Sequence, residues 1–152
     1  MGKKRIILDT NILISALGWK GNPRKIFNKI VKGELDLILS FKQLDEVKRV
    51  MDYPKFKFTD KQKERFLLIL DNISILIKTN SNVNIIKEDP DDNIILEPLN
   101  SIKIDYIITG DGHLLKLNKF KHAKIITSKE FLDSLRIKIL KKKLIKNTIN
   151  NE

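Results

Sequence analysis

The residues best able to do chemistry in this chain are carboxylates. Asp9 follows the apolar run Ile6-Ile7-Leu8 and precedes Thr10-Asn11. Glu46 lies within Leu44-Asp45-Glu46-Val47, and Asp111 closes Thr109-Gly110-Asp111. Between them, Glu88-Asp89-Pro90-Asp91-Asp92-Asn93 packs four acids into five consecutive positions, 88–92. Acids so crowded repel one another unless a cation or the positive end of a helix neutralises them. A carboxylate set with no His, Cys or Lys interposed suits a hard divalent cation, Mg2+ or Mn2+, which prefers oxygen ligands. Such an ion lowers the pKa of a bound water and clamps a phosphate, and paired ions sit about 3.5–4 Å apart. The chain contains no cysteine, so thiolate nucleophiles, disulfides and cysteine-based zinc sites are excluded.

The elements that must position these acids alternate. Ile6-Ile7-Leu8 reads as a buried parallel strand, since such strands are continuously apolar. Asp9 then falls at its carboxyl end, the edge where open α/β sheets bind ligands. Asn11 is placed as the cap of the following helix. A loop, 18–23, leads to a helix over 24–32, ended by Gly33. Trp19 in that loop is read as an anchor rather than a base-stacking platform. Leu35-Asp36-Leu37-Ile38-Leu39 is a second strand, and Ser40 caps a helix over 41–51 that carries Glu46. A helix over 60–72 precedes a third strand, 74–77. Asp91, Asp92 and Asn93 open a helix that Pro98 should kink or shorten. A fourth strand, 105–108, delivers Thr109 and Asp111. A short helix over 114–117, a fifth strand, 123–126, and a helix over 130–135 capped by Ser128 complete the order.

This alternation predicts a three-layer α/β/α domain around a mostly parallel, five-stranded sheet. With the first strand central and the second and fourth beside it, Asp9, Glu46, Asp92 and Asp111 can converge. Each acid also has a plainer reading. Asp9, Asp91 and Asp111 sit where helix caps belong, and Glu46 has Lys42, Lys48 and Arg49 around it as on a solvated face. Asp89 and Asp91 compete with Asp92, and Asp45 with Glu46.

The net charge of +11, from 30 basic and 19 acidic side chains, implies attraction to a polyanion, with nucleic acid ahead of an anionic membrane surface. The reading divides the chain into a domain over 1–135 and a basic extension over 136–152, helical at first and fraying into a tail, where six basic residues face one acid. The extension is expected to contact phosphate backbone or a partner. No stretch of 18 apolar residues occurs and residues 1–11 lack a signal-peptide core, so a soluble, cytoplasmic protein is expected.

Taken in order, Leu8-Asp9-Thr10-Asn11, Leu44-Asp45-Glu46-Val47, Asp89-Pro90-Asp91-Asp92-Asn93 and Thr109-Gly110-Asp111 resemble the PIN domain. The resemblance is closest to the branch of VapC-related toxins of toxin–antitoxin systems, and it covers residues 4–133. It implies a Mg2+- or Mn2+-dependent endoribonuclease, often a homodimer, with RNA as substrate and an antitoxin protein as partner. By position, the acidic quartet would be Asp9, Glu46, Asp92 and Asp111, with Asp9, Asp92 and Asp111 on the metal. Thr10, Asn11 and Thr109 match supporting polar residues, with Asp89 and Asp91 secondary. Pro98 departs from the pattern, standing where a helix former is usual. One alternative is a non-catalytic RNA-binding module on the same scaffold. A receiver-like phosphorylation domain would need an acid pair after the first strand, and Asp9 has no acidic neighbour.

Overall fold

The computed structural model describes residues 2–79 and 93–151. Six strands form one sheet: β1 (Lys4–Leu8), β2 (Leu35–Ser40), β3 (Ser74–Ile77), β4 (Tyr106–Ile108), β5 (Lys119–Phe120) and β6 (Ala123–Ile126). Their order is β3-β2-β1-β4-β6-β5. All neighbours are parallel except β5 and β6. The mostly parallel sheet therefore stands as expected, with β1 central between β2 and β4. It has six strands where five were expected. The added strand is two residues long, too short for any periodicity to reveal it. It pairs with β6 across a turn in which Lys121 adopts a positive φ of 53°.

Seven α-helices connect the strands: α1 (Thr10–Gly18), α2 (Asn22–Val31), α3 (Phe41–Met51), α4 (Asp60–Ile73), α5 (Asn93–Leu96), α6 (Gly112–Leu117) and α7 (Ser128–Asn150). Side chains alternate across the sheet with the period of two that the pleat imposes. Ile6, Leu8, Leu37, Leu39 and Ile108 face one core, shared with Leu13, Ile26, Val47, Leu70 and Phe131. Ile7, Ile38, Ile107 and Ile125 face the other, shared with Ile95, Leu96, Leu99 and Leu114. Two covered faces explain why the central strands read as unbroken apolar runs.

Local signals set most helix ends. Ser40 caps α3, accepting the Gln43 N–H at 3.0 Å. Pro23 sits in the first turn of α2, where its missing N–H costs nothing. Gly33, just past α2, takes the left-handed φ of 80° that favours glycine. Pro98 shortens its helix as expected: α5 stops at Leu96 and a 3-10 turn, Glu97–Asn100, follows. Trp19 anchors its loop, packing on Phe56 and Phe58 with ring centroids 5.9 and 5.7 Å away.

Three starts or ends differ from expectation. Helix α1 begins at Thr10, capped by Asp9 rather than by Asn11. Helix α7 begins at Ser128, capped by Thr127 in a reciprocal pair with Glu130 rather than by Ser128. The extension beyond 135 is helical as expected, but it joins α7 without a break and does not fray before Asn150, because no glycine or proline interrupts its run of good helix formers.

Candidate active site

The site is assembled at the carboxyl edge of the sheet, where β1 and β4 end side by side. Leu8 pairs with Ile108, and the Asp9 N–H continues the ladder to the Ile108 carbonyl at 2.9 Å. That bond fixes the backbone of Asp9 against the start of the loop that holds Thr109 and Asp111.

Asp9 is almost fully buried, at 9% exposure, so its carboxylate needs donors. The Thr10 N–H donates to Oδ1 at 2.8 Å, and the Thr109 hydroxyl donates to Oδ2 at 2.7 Å. The same hydroxyl accepts the Asp111 N–H at 3.0 Å. Thr109, itself wholly buried, is thus a two-way strut: its oxygen ties the carboxylate after β1 to the backbone after β4. Asp111 caps α6, its Oδ1 accepting the N–H groups of His113 at 2.8 Å and Leu114 at 3.2 Å. Both carboxylates cap helix N-termini and accept backbone N–H groups that the helices leave unpaired.

A second tie brings α3 to the same edge. Gln43, buried, donates from its amide to the Leu8 carbonyl, at 2.6 Å. Glu46 lies three residues on, on the same side of α3, half-buried and with Oε2 shielded from solvent. Asp45 points into solvent. Asn11 is exposed on the first turn of α1. Thr10 is 2% exposed, and its hydroxyl has no hydrogen-bond partner among the described residues. Asp89, Asp91 and Asp92 lie outside the described residues. The described part of the helix they were expected to open is Asn93–Leu96, and Asn93 is buried.

The structure adds residues that the sequence did not single out. Glu97 is buried at the head of the 3-10 turn and accepts from Lys42 Nζ at 3.2 and 3.0 Å and from Thr79 Oγ1 at 3.0 Å. Lys42 opens α3 and Thr79 follows β3, so this group ties three segments together near the acids. Its signal in the sequence is a lone acid inside the apolar run Ile94-Ile95-Leu96-Glu97-Pro98-Leu99. Gln43 gave no signal, since a polar residue on a helix looks solvated until its partner is known.

The donors at this edge are oxygens. Asp9 brings a carboxylate, Asp111 keeps Oδ2 outside its cap bonds, and Thr10 presents a buried hydroxyl with no partner among the described residues. That donor chemistry fits a hard divalent ion. Among the described residues, no three His, Asp or Glu side chains lie close enough together to hold a metal. No described helix is long and apolar enough to cross a membrane.

Comparison with known proteins agrees with this architecture. Over 143 residues the chain is 32% identical to an uncharacterized protein of Methanocaldococcus jannaschii, MJ1680, covering 86% of this chain and 91% of that one. Residues 5–113, from the middle of β1 to the first turn of α6, match the model of the PIN domain. That span contains every acid of the sheet edge, and the chain belongs to the PIN domain family.

Proposed function

We propose that the protein is an endoribonuclease that uses Mg2+ or Mn2+ at this edge, and that it acts as the toxin of a toxin–antitoxin pair, with a protein antitoxin as its partner. The observation that carries the reading is the Asp9–Thr109–Asp111 assembly: one buried hydroxyl joins the carboxylate that follows β1 to the backbone of the acid that follows β4. A structural cap needs no such lock to a second strand. The orphaned Thr10 hydroxyl beside it is a polar atom awaiting a ligand or an ordered water.

In this reading Asp9 and Asp111 hold the ion, with Asp92 as the third carboxylate and Glu46 completing the acidic set. The ion supplies Lewis acidity and an activated water at neutral pH. The chain's own residues do the rest. Thr109 fixes the Asp9 carboxylate, and the N–H groups of Thr10, His113 and Leu114 hold both acids oriented. Gln43 sets the depth at which α3 carries Glu46. The chain's excess positive charge draws the phosphate backbone towards an edge that would otherwise repel it.

The test is incubation with a mixed RNA pool in Mn2+, in Mg2+ and in EDTA. Cleavage in either metal that EDTA abolishes is expected. Cleavage that persists undiminished in EDTA would overturn the metal mechanism. No cleavage in any metal, with RNA still bound, would make the protein an RNA-binding module on a nuclease scaffold.

A further inference from the structure

Helix α7 leaves the acidic edge and crosses the sheet against α2. Its start is tied to the site: the Thr109 N–H bonds the Ile126 carbonyl at 3.0 Å, and Lys129 follows three residues later. By Lys138 the helix has reached the opposite edge, where that ammonium lies 3.3 Å from the hydroxyl of Tyr106, the first residue of β4.

A groove of about 470 Å³ runs between α2 and α7. Five cations line it, Lys25, Lys29, Lys129, Arg136 and Lys143, against one acid, Asp133. Lys29 pairs with Glu34 at 3.6 Å. The other four make no ion pair among the described residues. Lys129, Arg136 and Lys143 recur every seven residues, so they share one face of α7 and stand about 10 Å apart. Lys25 and Lys29 stand one turn apart on α2. The cations form a track about 21 Å long from Lys129 to Lys143. At about 3.4 Å per stacked nucleotide it matches about six nucleotides.

We propose that the α2–α7 groove binds the phosphates of the RNA strand that flanks the scissile bond. This rests on the endoribonuclease reading and adds the path of the substrate to it. The track begins at the acidic edge, where Lys129 is three residues beyond the strand end that Thr109 bonds, so one strand can occupy both. A second copy of this chain would set five cations against five, and the repulsion disfavours it. The acidic edge repels a phosphate backbone, and a neighbouring basic track supplies the missing attraction.

The test compares the wild type with Lys25→Glu/Arg136→Glu/Lys143→Glu. These three side chains are exposed, so the melting temperature should hold, and the corresponding triple Gln variant serves if reversal of charge disturbs the fold. Binding of fluorescein-labelled, unstructured RNAs of 4 and 20 nucleotides is followed by anisotropy in EDTA, over a series of salt concentrations. The variant should bind the 20-mer at least tenfold more weakly, and its salt slope should fall by about 2, at about 0.7 per lost phosphate contact. The loss should grow with RNA length, and in Mn2+ it should appear in KM more than in kcat. An unchanged slope, or an equal loss on both RNAs, overturns the proposal and leaves the groove to an acidic protein partner. Because binding is read in EDTA, a reduced slope in a protein that cleaves nothing would sustain the groove and refute the nuclease reading.

Discussion

Thr109→Val separates two accounts of the site by the sign of one comparison. The hydroxyl is wholly buried, donates to Asp9 Oδ2 at 2.7 Å and accepts the Asp111 N–H at 3.0 Å. Valine keeps the β-branch and the volume but removes both bonds. The bond to the ionised carboxylate is worth about 1.5–3 kcal/mol, and stranding the Asp111 N–H adds about 1 kcal/mol. A loss of about 3 kcal/mol follows, which lowers Tm by about 9 °C in a domain of this size. Thr109→Ser keeps the oxygen and deletes one buried methyl, at about 1 kcal/mol, or about 3 °C. Packing alone orders the variants the other way, with Ser worse than Val. Differential scanning calorimetry of both proteins without metal decides between the orders. Activity adds an independent readout, since Ser should keep most RNA cleavage and Val should lose it. A valine variant that melts at or above the serine variant would refute the claim that this hydroxyl joins the two strand ends.

Other expectations follow from the same geometry. Asp9→Asn and Asp111→Asn should each abolish cleavage. Tm should hold or rise for Asp111→Asn, because Asn still caps α6 and one repelling charge is gone, and should fall for Asp9→Asn, whose amide cannot accept both the Thr10 N–H and the Thr109 hydroxyl. Calorimetry with an RNA assay checks both, and variants that keep activity per folded molecule would make these acids purely structural. Among the three acids before Asn93, Asp92→Asn should weaken Mn2+ binding most and Asp91→Asn least, since Asp91 is placed as the cap and Asn caps equally well; parallel metal titrations of the three Asn variants test the order, and a largest loss at Asp89 or Asp91 would shift the helix start. Lys42→Met strands the buried Glu97 carboxylate. Breaking a fully buried pair costs about 3–5 kcal/mol, but Lys42 is 44% exposed, so about 1–3 kcal/mol is expected after screening. Chemical denaturation measures it, and Lys42→Met/Glu97→Leu should recover part of the loss.

Legibility in the sequence followed the range of the forces involved. Ile6-Ile7-Leu8 declared itself as a central strand because burial on both faces leaves no polar position to blur the pattern. Ser40, Pro23 and Pro98 act within one helical turn, and their effects on α3, α2 and α5 were readable at that distance. What stayed hidden depends on partners far along the chain. Glu97 is explained by Lys42, 55 residues away, and Thr79, 18 away, and Gln43 by the carbonyl of Leu8. Strand β5 exists because β6 offers it an edge, and two residues carry no period of their own. The sequence shows the extension of α7 as helical but not where it ends, because beyond Leu135 the helix continues on propensity through residues that are all exposed.

The cap and the metal ligand were weighed as competing readings of Asp9 and Asp111, and the geometry makes them complementary. A metal ligand must be ionised at neutral pH and fixed in direction. A helix N-terminus supplies both, because its N–H groups stabilise the anion and hold one lone pair of each capping oxygen. Capping engages Asp111 through Oδ1 and leaves its Oδ2 outside the cap, while Asp9 is held at Oδ1 by its cap bond and at Oδ2 by Thr109. Thr109 then does what neither cap can do alone. It makes the position of one carboxylate depend on the other strand, so β1 and β4 cannot slide without breaking a buried bond to a charge. The acids that fold the helices are therefore the acids best prepared to hold an ion.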